Sequence, residues 1–210
     1  MRTLQEHRAA VLALVSPLPA TPVPVVAALG LVLAQDVTAR VDLPGFDNSA
    51  MDGYAVRAGE LAGASRENPV VLPVSGDIAA GDTTHHVLAA GHAMRIMTGA
   101  PLPEGCDAVV PVELTDGGSR EVALFLDPDV GRHVRRRGED ITAGSVVLRA
   151  GTRLTPGHLA IAAAANLAEL PVHPRPRVTV VSTGDELVAP GSALAHGQIV
   201  DSNHVMLRAL

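Results

Sequence analysis

The texture of apolar and polar positions changes twice along the chain. Leu4, Val11, Leu12 and Val15 recur at helical spacing, interrupted by Arg8, and predict an amphipathic helix over residues 4–15. Thr3-Leu4-Gln5-Glu6 is a capping box at its start, and Pro17-Leu18-Pro19 ends it. Pro24, a good first helical residue, predicts a second helix to about Ala34. From residue 41, short Val-rich runs alternate with Gly and Pro at 70–74, 93–97, 107–114, 121–126, 130–135 and 145–149. They predict the strands of a small β domain. Thr155-Pro156 opens a third helix through Ala165, with Asn166 as its stop. Pro171, Pro174 and Pro176 predict a stiff linker. Residues 177–181 (Arg-Val-Thr-Val-Val) predict a buried-type strand running into Ser182–Leu187. Residues 197–203 predict a loop into a further helix capped by Ser202 or Asn203, the opening of an α/β domain. There is no internal repeat.

Composition narrows the chemistry. The chain is 47% hydrophobic with no Trp, so Leu, Val, Ile and Ala must build the core. A net charge of −6 argues against a generic nucleic-acid surface. All 16 cations are Arg, which excludes a Schiff-base Lys or a Walker Lys. Cys106 is the one cysteine, so there is no intrachain disulfide and no thiolate metal cage. The nine His include His85-His86 but no zinc-ligand spacing. No apolar run approaches the ~18 residues of a membrane span. Arg2 and Arg8 before the apolar residues 9–15 mimic a signal peptide, but Glu6 and the capping box favour an ordinary helix. A cytoplasmic protein is expected, binding neither membrane nor nucleic acid.

Two of the three aromatic side chains fall in nine residues, Phe46-Asp47-Asn48-Ser49-Ala50-Met51-Asp52-Gly53-Tyr54. Asp42, Asp47 and Asp52 stand five apart. Five residues turn a helix by roughly 140° and flip the face of a strand, so only a folded loop brings such acids together. The bland alternative is a hairpin turn closed by Asp52-Gly53. Three further polar clusters stand out. Arg95-Ile96-Met97-Thr98-Gly99-Ala100-Pro101 runs a strand into a Thr-Gly turn able to offer a hydroxyl and N–H groups. Arg135-Arg136-Arg137-Gly138-Glu139-Asp140 sets three cations, suited to phosphate or another oxyanion, against two acids suited to Mg²⁺; self-pairing is the alternative. Ser182-Thr183-Gly184-Asp185-Glu186-Leu187 places two carboxylates at a strand's carboxyl end, where open α/β sheets bind ligands. Asp185 and Glu186 suit Mg²⁺ or general-base work. There is no nucleophile elbow, P-loop or dinucleotide fingerprint.

In order and spacing these segments resemble one family. Residues 42–57, Asp42-Leu43-Pro44-Gly45-Phe46 through Asp52-Gly53-Tyr54-Ala55-Val56-Arg57, look like the signature of the molybdopterin molybdenumtransferases, the MoeA-like family. Thr98-Gly99-Ala100-Pro101, Arg136-Arg137-Gly138-Glu139-Asp140-Ile141 and Ser182–Leu187 follow in the family's order. The resemblance implies a multidomain α/β protein. Residues 1–40 plus 141–172 would form a helical, stalk-like domain, 41–140 an inserted small β domain, and 177–210 the start of a molybdopterin-binding α/β domain. It also implies a homodimer that inserts molybdate into adenylated molybdopterin with Mg²⁺ and releases AMP, in a cleft between the α/β domain of one subunit and the β domain of the other. Molybdopterin adenylyltransferase and molybdenum-enzyme maturation proteins are the implied partners. The positions carried over as catalytic are Asp52, Thr98, Asp140 and Glu186, with Glu186 and Asp185 at the metal. Asp47, Asn48, Ser49, Thr183, Gly184, Ser202 and Asn203 are candidate substrate contacts, as are Arg135, Arg136 and Arg137 for molybdate or pyrophosphate. Family members continue for about as many residues again, so part of the implied pocket lies outside this sequence.

Two other readings compete. The chain could be a non-catalytic dimerisation or partner-docking piece of the same fold. It could be a different Mg²⁺-dependent phosphoryl or nucleotidyl enzyme, against which the missing Lys and missing Gly-rich phosphate loop both speak.

Overall fold

The structure, a computed structural model, describes residues 2–210, in two compact units: residues 20–173, and residues 2–19 with 174–210. In chain order the elements are α1 (Leu4–Leu12), β1 (Thr21–Pro24), β2 (Val32–Leu33), β3 (Val37–Thr38), β4 (Asn48–Ser49), β5 (Gly53–Val56), β6 (Val70–Ile78) and β7 (Ala93–Ile96). There follow β8 (Ala108–Pro111), β9 (Glu121–Leu124), β10 (Val134–Arg135), β11 (Val146–Leu148), α2 (Pro156–Ala164), β12 (Glu169–His173), β13 (Leu187–Val188), β14 (Ile199–Val200) and α3 (Ser202–Ala209). Sheets are mixed and helices few.

The larger unit holds a five-stranded sheet in the order β8-β5-β7-β6-β9, in which only β6 and β7 run parallel. All four residues of β5 are buried, because both of its faces are covered. Tyr54 and Val56 pack with Leu61, Leu72, Val110, Val122 and Leu124 on one side. Ala55 packs with Ile78, Leu88, Met94, Ile96 and Val109 on the other. Each of the large side chains contributes roughly 1.5–3 kcal/mol of burial. A separate core, Val25, Leu33, Val37, Leu148, Leu154, Ala162, Leu170 and Val172, joins the sheet β1-β12-β2, the pair β3-β11 and α2.

The Val-rich runs become β6 to β11 near their expected places. The third helix starts and stops as its residues dictate. The Thr155 N–H donates to His158 Nδ1 at 3.1 Å. At the other end Asn166 takes φ 60°, Leu167 N–H reaches Ala162 O and Asn166 N–H reaches Ala163 O, both at 3.0 Å, closing a Schellman motif. The capping box of α1 also forms, with Thr3 N–H on Glu6 Oε2 and Glu6 N–H on Thr3 Oγ1. That helix ends at Leu12 rather than 15 and buries none of its residues.

Five local expectations are corrected. Residues 24–34 are not a helix but the end of β1, a single 3-10 turn at Val25–Ala27, and β2. The Val25 N–H donates to Ala168 O, so bonded pairs fall at Val23–Leu170 and Thr21–Val172, and Pro22 and Pro24 occupy the positions between, where no ladder donor is needed, while Pro171 faces the other neighbour and its O accepts from Ala34 N–H at 2.8 Å. Pro171 therefore belongs to a central strand rather than a linker. The part built from residues 20–40 and 141–172, expected to be helical, holds the short strands β1, β2, β3, β11 and β12 among turns, with α2 as its α-helix. Residues 177–181 have no strand partner among the described residues, and Val178 and Val181 are more than two-thirds exposed. Finally, α3 is capped by Asp201, which accepts from His204 N–H at 3.0 Å, and not by Ser202 or Asn203.

Candidate functional site

Three of the four polar clusters come together in the unit of residues 20–173. Residues 42–49 run antiparallel to 134–141. Leu43 N–H donates to Ile141 O at 2.7 Å, Asp140 N–H to Leu43 O at 3.0 Å and Gly138 N–H to Pro44 O at 2.9 Å, and β4 pairs with β10. This pairing sets acids against arginines. Asp47 Oδ2 meets Arg136 Nη1 at 2.6 Å while Arg137 N–H donates to Asp47 Oδ1 at 2.8 Å. Asp42 Oδ2 meets Arg137 Nε at 2.6 Å and Asp42 Oδ1 accepts from Ala143 N–H at 2.7 Å. Both carboxyls are held below the ordinary value of 3.8: Asp42 by the Ala143 N–H and then Arg137, Asp47 by the Arg137 N–H and then Arg136. Arg136 and Arg137 are thus paired with the chain's own acids. Arg135 and Asp140 are exposed and make no ion pair among the described residues.

The Thr98-Gly99 turn is stitched to the same loop. Gly99 N–H donates to Ser49 O at 2.8 Å and Ser49 N–H to Ala100 O at 3.1 Å. The turn needs its glycine, at φ 80°. It delivers Thr98 to Asp52: the Thr98 hydroxyl and the Thr98 N–H both donate to Asp52 Oδ1, each at 2.6 Å. These two donors, the hydroxyl first, lower the Asp52 pKa. Asp52 is an exposed carboxylate, ionised at neutral pH, whose Oδ2 takes no hydrogen bond among the described residues.

Around this pair the loop is tied by its own side chains. Asn48 and Ser49 are buried. Asn48 Nδ2 donates to Phe46 O at 3.1 Å and Ser49 Oγ to Met51 O at 2.6 Å, so both side chains shape the loop itself. Asn48 Oδ1 is buried without a partner among the described residues. Of the two aromatic residues, Phe46 is half exposed, whereas Tyr54 is core: it is 1% exposed, with its hydroxyl on Gly118 O at 2.9 Å. Arg95, beside Tyr54 on β7, adds its positive charge to the field at Asp52. It lines a cavity of about 350 Å³ with Val74, Ser75, Gly76, Asp77 and Ser119. Asp77 went unnoticed in the sequence; its one local signal is the Gly76 that breaks an alternating strand.

The fourth cluster lies in the other unit and is described by itself. Leu187–Val188 pairs in parallel with Ile199–Val200. Glu186 O accepts from Ile199 N–H at 2.8 Å, while Thr183, Gly184, Asp185 and Glu186 are exposed. Ser182 hydrogen-bonds Asp201, whose pKa falls through the His204 N–H and then Ser182. Ser182, Gly184, Asp201 and His204 share a hollow of about 290 Å³, which gives Asp201 and His204 a place that the sequence did not assign. Ser202 and Asn203 are exposed on the first turn of α3. Among the described residues no three His, Cys, Asp or Glu side chains converge as a metal cage. No helix there is long and apolar enough to cross a membrane.

Comparison with known proteins matches residues 2–166 to the MoeA N-terminal region, domains I and II. The chain belongs to the MoeA family. A molybdopterin molybdenumtransferase 2 from Mycobacterium tuberculosis is 53% identical over 209 residues, covering 100% of this chain and 52% of that protein. A molybdopterin molybdenumtransferase from Bacillus subtilis is 44% identical over 181 residues, 84% of this chain and 42% of that one. The crystal structure of a molybdopterin biosynthesis MoeA protein from Pyrococcus horikoshii superposes with a TM-score of 0.82 at 32% identity, over 92% of this chain and 52% of its own. This MoeA-family chain therefore spans about half the length of the relatives it matches.

Proposed function

We propose that the chain is the N-terminal half of a molybdopterin molybdenumtransferase, acting in molybdenum cofactor biosynthesis by inserting molybdate into adenylated molybdopterin with Mg²⁺ and release of AMP. The observation that carries the reading is the Asp52–Thr98 clamp inside a MoeA-type loop. A carboxylate fixed through one oxygen, charged at neutral pH and open at the other, is built to orient a water or a ligand N–H or O–H. Thr98 sets the direction of that open oxygen. Asp140 and Arg135 add an exposed carboxylate and an exposed guanidinium, neither in an ion pair among the described residues, and Arg135 is the cation best placed to attract molybdate or a phosphate group. The adjacent exposed carboxylates Asp185 and Glu186 fit Mg²⁺, which takes one or two protein carboxylates and fills its shell with water and substrate phosphates. When bound, that ion supplies charge neutralisation at the phosphates.

The same reading divides the chain into 1–40 with 141–172, 41–140 and 177–210, and its support is the two separate cores within residues 20–173. It also makes the protein a cytoplasmic homodimer that binds neither nucleic acid nor membrane, with adenylyltransferase and molybdenum-enzyme maturation proteins as partners. The exposed Leu4, Val11, Leu12, Leu14 and Val15 of the first helix and its exit favour an association surface. They are also what supports the second reading, a docking piece without catalysis.

The test is turnover by the protein expressed in its complete reading frame, supplied with adenylated molybdopterin, molybdate and Mg²⁺. Asp52→Ala and Glu186→Ala should each bind the substrate and insert molybdenum at least about a hundredfold more slowly, the scale of a lost acid–base or orienting group. Normal insertion by both variants would refute the site assignment.

A further inference from the structure

The parallel pairing of β6 with β7 matches Val74 to Ala93 and Asp77 to Arg95. Three residue steps on β6 oppose two on β7, so β6 carries one extra residue at Ser75-Gly76. A bulge bends its strand and re-aims the side chains around it, and bulges concentrate beside functional sites. Here the bend opens the 350 Å³ cavity, within the range of small-molecule sites. Gly76 lines it, and a Cβ there would stand 3.0 Å from Met94 Cε.

The polar groups of this cavity are unspent. Asp77 and Arg95 are direct neighbours across the strands, where opposite charges ordinarily pair. Among the described residues no ion pair within 4.0 Å joins them to each other or to another group. Ser75 Oγ donates to Ala93 O at 3.3 Å and keeps its lone pairs. Ser119 is held at the rim because Tyr54 Oη donates to the preceding carbonyl, Gly118 O. Tyr54 faces Arg95 across β5 and β7. Arg95 thus lines the cavity and also lends its positive charge to Asp52.

A bare oxyanion fits poorly, because Asp77 would repel it. A ring edge carrying two adjacent donors and one acceptor fits both charges. We propose that this cavity seats the aminopyrimidinone ring of the pterin, Asp77 accepting from ring N3–H and the 2-amino group and Arg95 donating to the 4-oxo oxygen. A carboxylate takes two parallel N–H donors and a guanidinium offers a planar fork to a carbonyl. Adenine presents an acceptor where this edge presents a donor, so the adenylate part of the ligand is excluded. The assignment rests on the pterin substrate proposed above and deepens it by naming which residues read the ring.

The test uses the chain with two probes, pterin and lumazine, the 2,4-dioxo analogue without the 2-amino donor, followed by ligand fluorescence. Wild type should bind pterin at least about tenfold more tightly than lumazine, since a site built for a donor rejects the analogue lacking it. Asp77→Asn replaces one acceptor by a donor and should reverse that preference, while Arg95→Gln should weaken both. Asp77 and Arg95 are exposed, so both variants should keep the wild-type circular dichroism spectrum. Equal binding of the two probes by wild type, or an unchanged preference in Asp77→Asn, overturns the proposal and leaves the molybdenum-insertion reading standing. Tungstate binding that depends on Arg95 without pterin binding also overturns it, making the cavity an oxyanion site. A reversed preference together with normal molybdenum insertion by Asp52→Ala keeps the ring site and removes the catalytic one.

Discussion

Asp52 and Thr98, 46 residues apart, meet at a single oxygen: the Thr98 hydroxyl and amide both donate to Asp52 Oδ1 at 2.6 Å. The contact lowers the Asp52 pKa and leaves Oδ2 without a hydrogen bond among the described residues. Thr98→Val keeps the amide and removes the hydroxyl, the larger of the two causes. The Asp52 pKa should rise toward 3.8 in the variant, read by carbon-detected NMR titration of its carboxyl. An unchanged value would show that the hydroxyl does not hold the carboxylate.

Asp42, Asp47 and Asp52 all have folded pKa values below 3.8. A depressed carboxylate contributes stability that is present above its unfolded pKa and is lost as pH falls through the folded value. Thermal stability should therefore hold down to about pH 4, the unfolded range, and decline below it. Asp47→Asn removes one such group and should flatten that decline. The Asp47–Arg136 pair is largely exposed, so a double-mutant cycle should give a coupling of only about 0.2–1 kcal/mol.

Gly53 separates Asp52 from Tyr54 and lies so close to β8 that a Cβ would stand 2.0 Å from Val110 O. Backbone cannot yield as a side chain can. Gly53→Ala should cost on the order of 4 kcal/mol or prevent folding, measured by denaturant unfolding. A loss below 1 kcal/mol would mean that β5 and β8 are free to part.

How much of this was legible differs by element. The caps of α1 and α2 involve residues three apart, and local reading found both. Strand β5 was missed because it is buried on both faces, shows no alternation, and opens on a Gly that reads as a turn. Residues 24–34 were misread because Pro24 suits a helix start as well as a strand, and only the distant partners Glu169–Val172 decide. At the site, the residue types spoke for acids, arginines and a Thr-Gly turn, but their pairing did not. Asp47–Arg136 and Asp42–Arg137 span 89 and 95 residues. No periodicity records which acid takes which arginine, or that Arg135 makes no ion pair among the described residues.

Cys106 gives an independent check on packing. Burial pushes its thiol up to about 11. The thiolate, not the thiol, is the nucleophile, so at pH 8 the native protein should react with a maleimide far more slowly than the urea-unfolded chain. Equal rates would contradict a closed core under residues 106–110.

The most direct measurement is molybdenum loading by the complete-reading-frame protein carrying Asp52→Asn, assayed with adenylated molybdopterin by metal content and AMP release. The substitution keeps the shape of the side chain and removes its charge. The account predicts intact folding and substrate binding with loading reduced at least about a hundredfold. Wild-type loading by Asp52→Asn would contradict it.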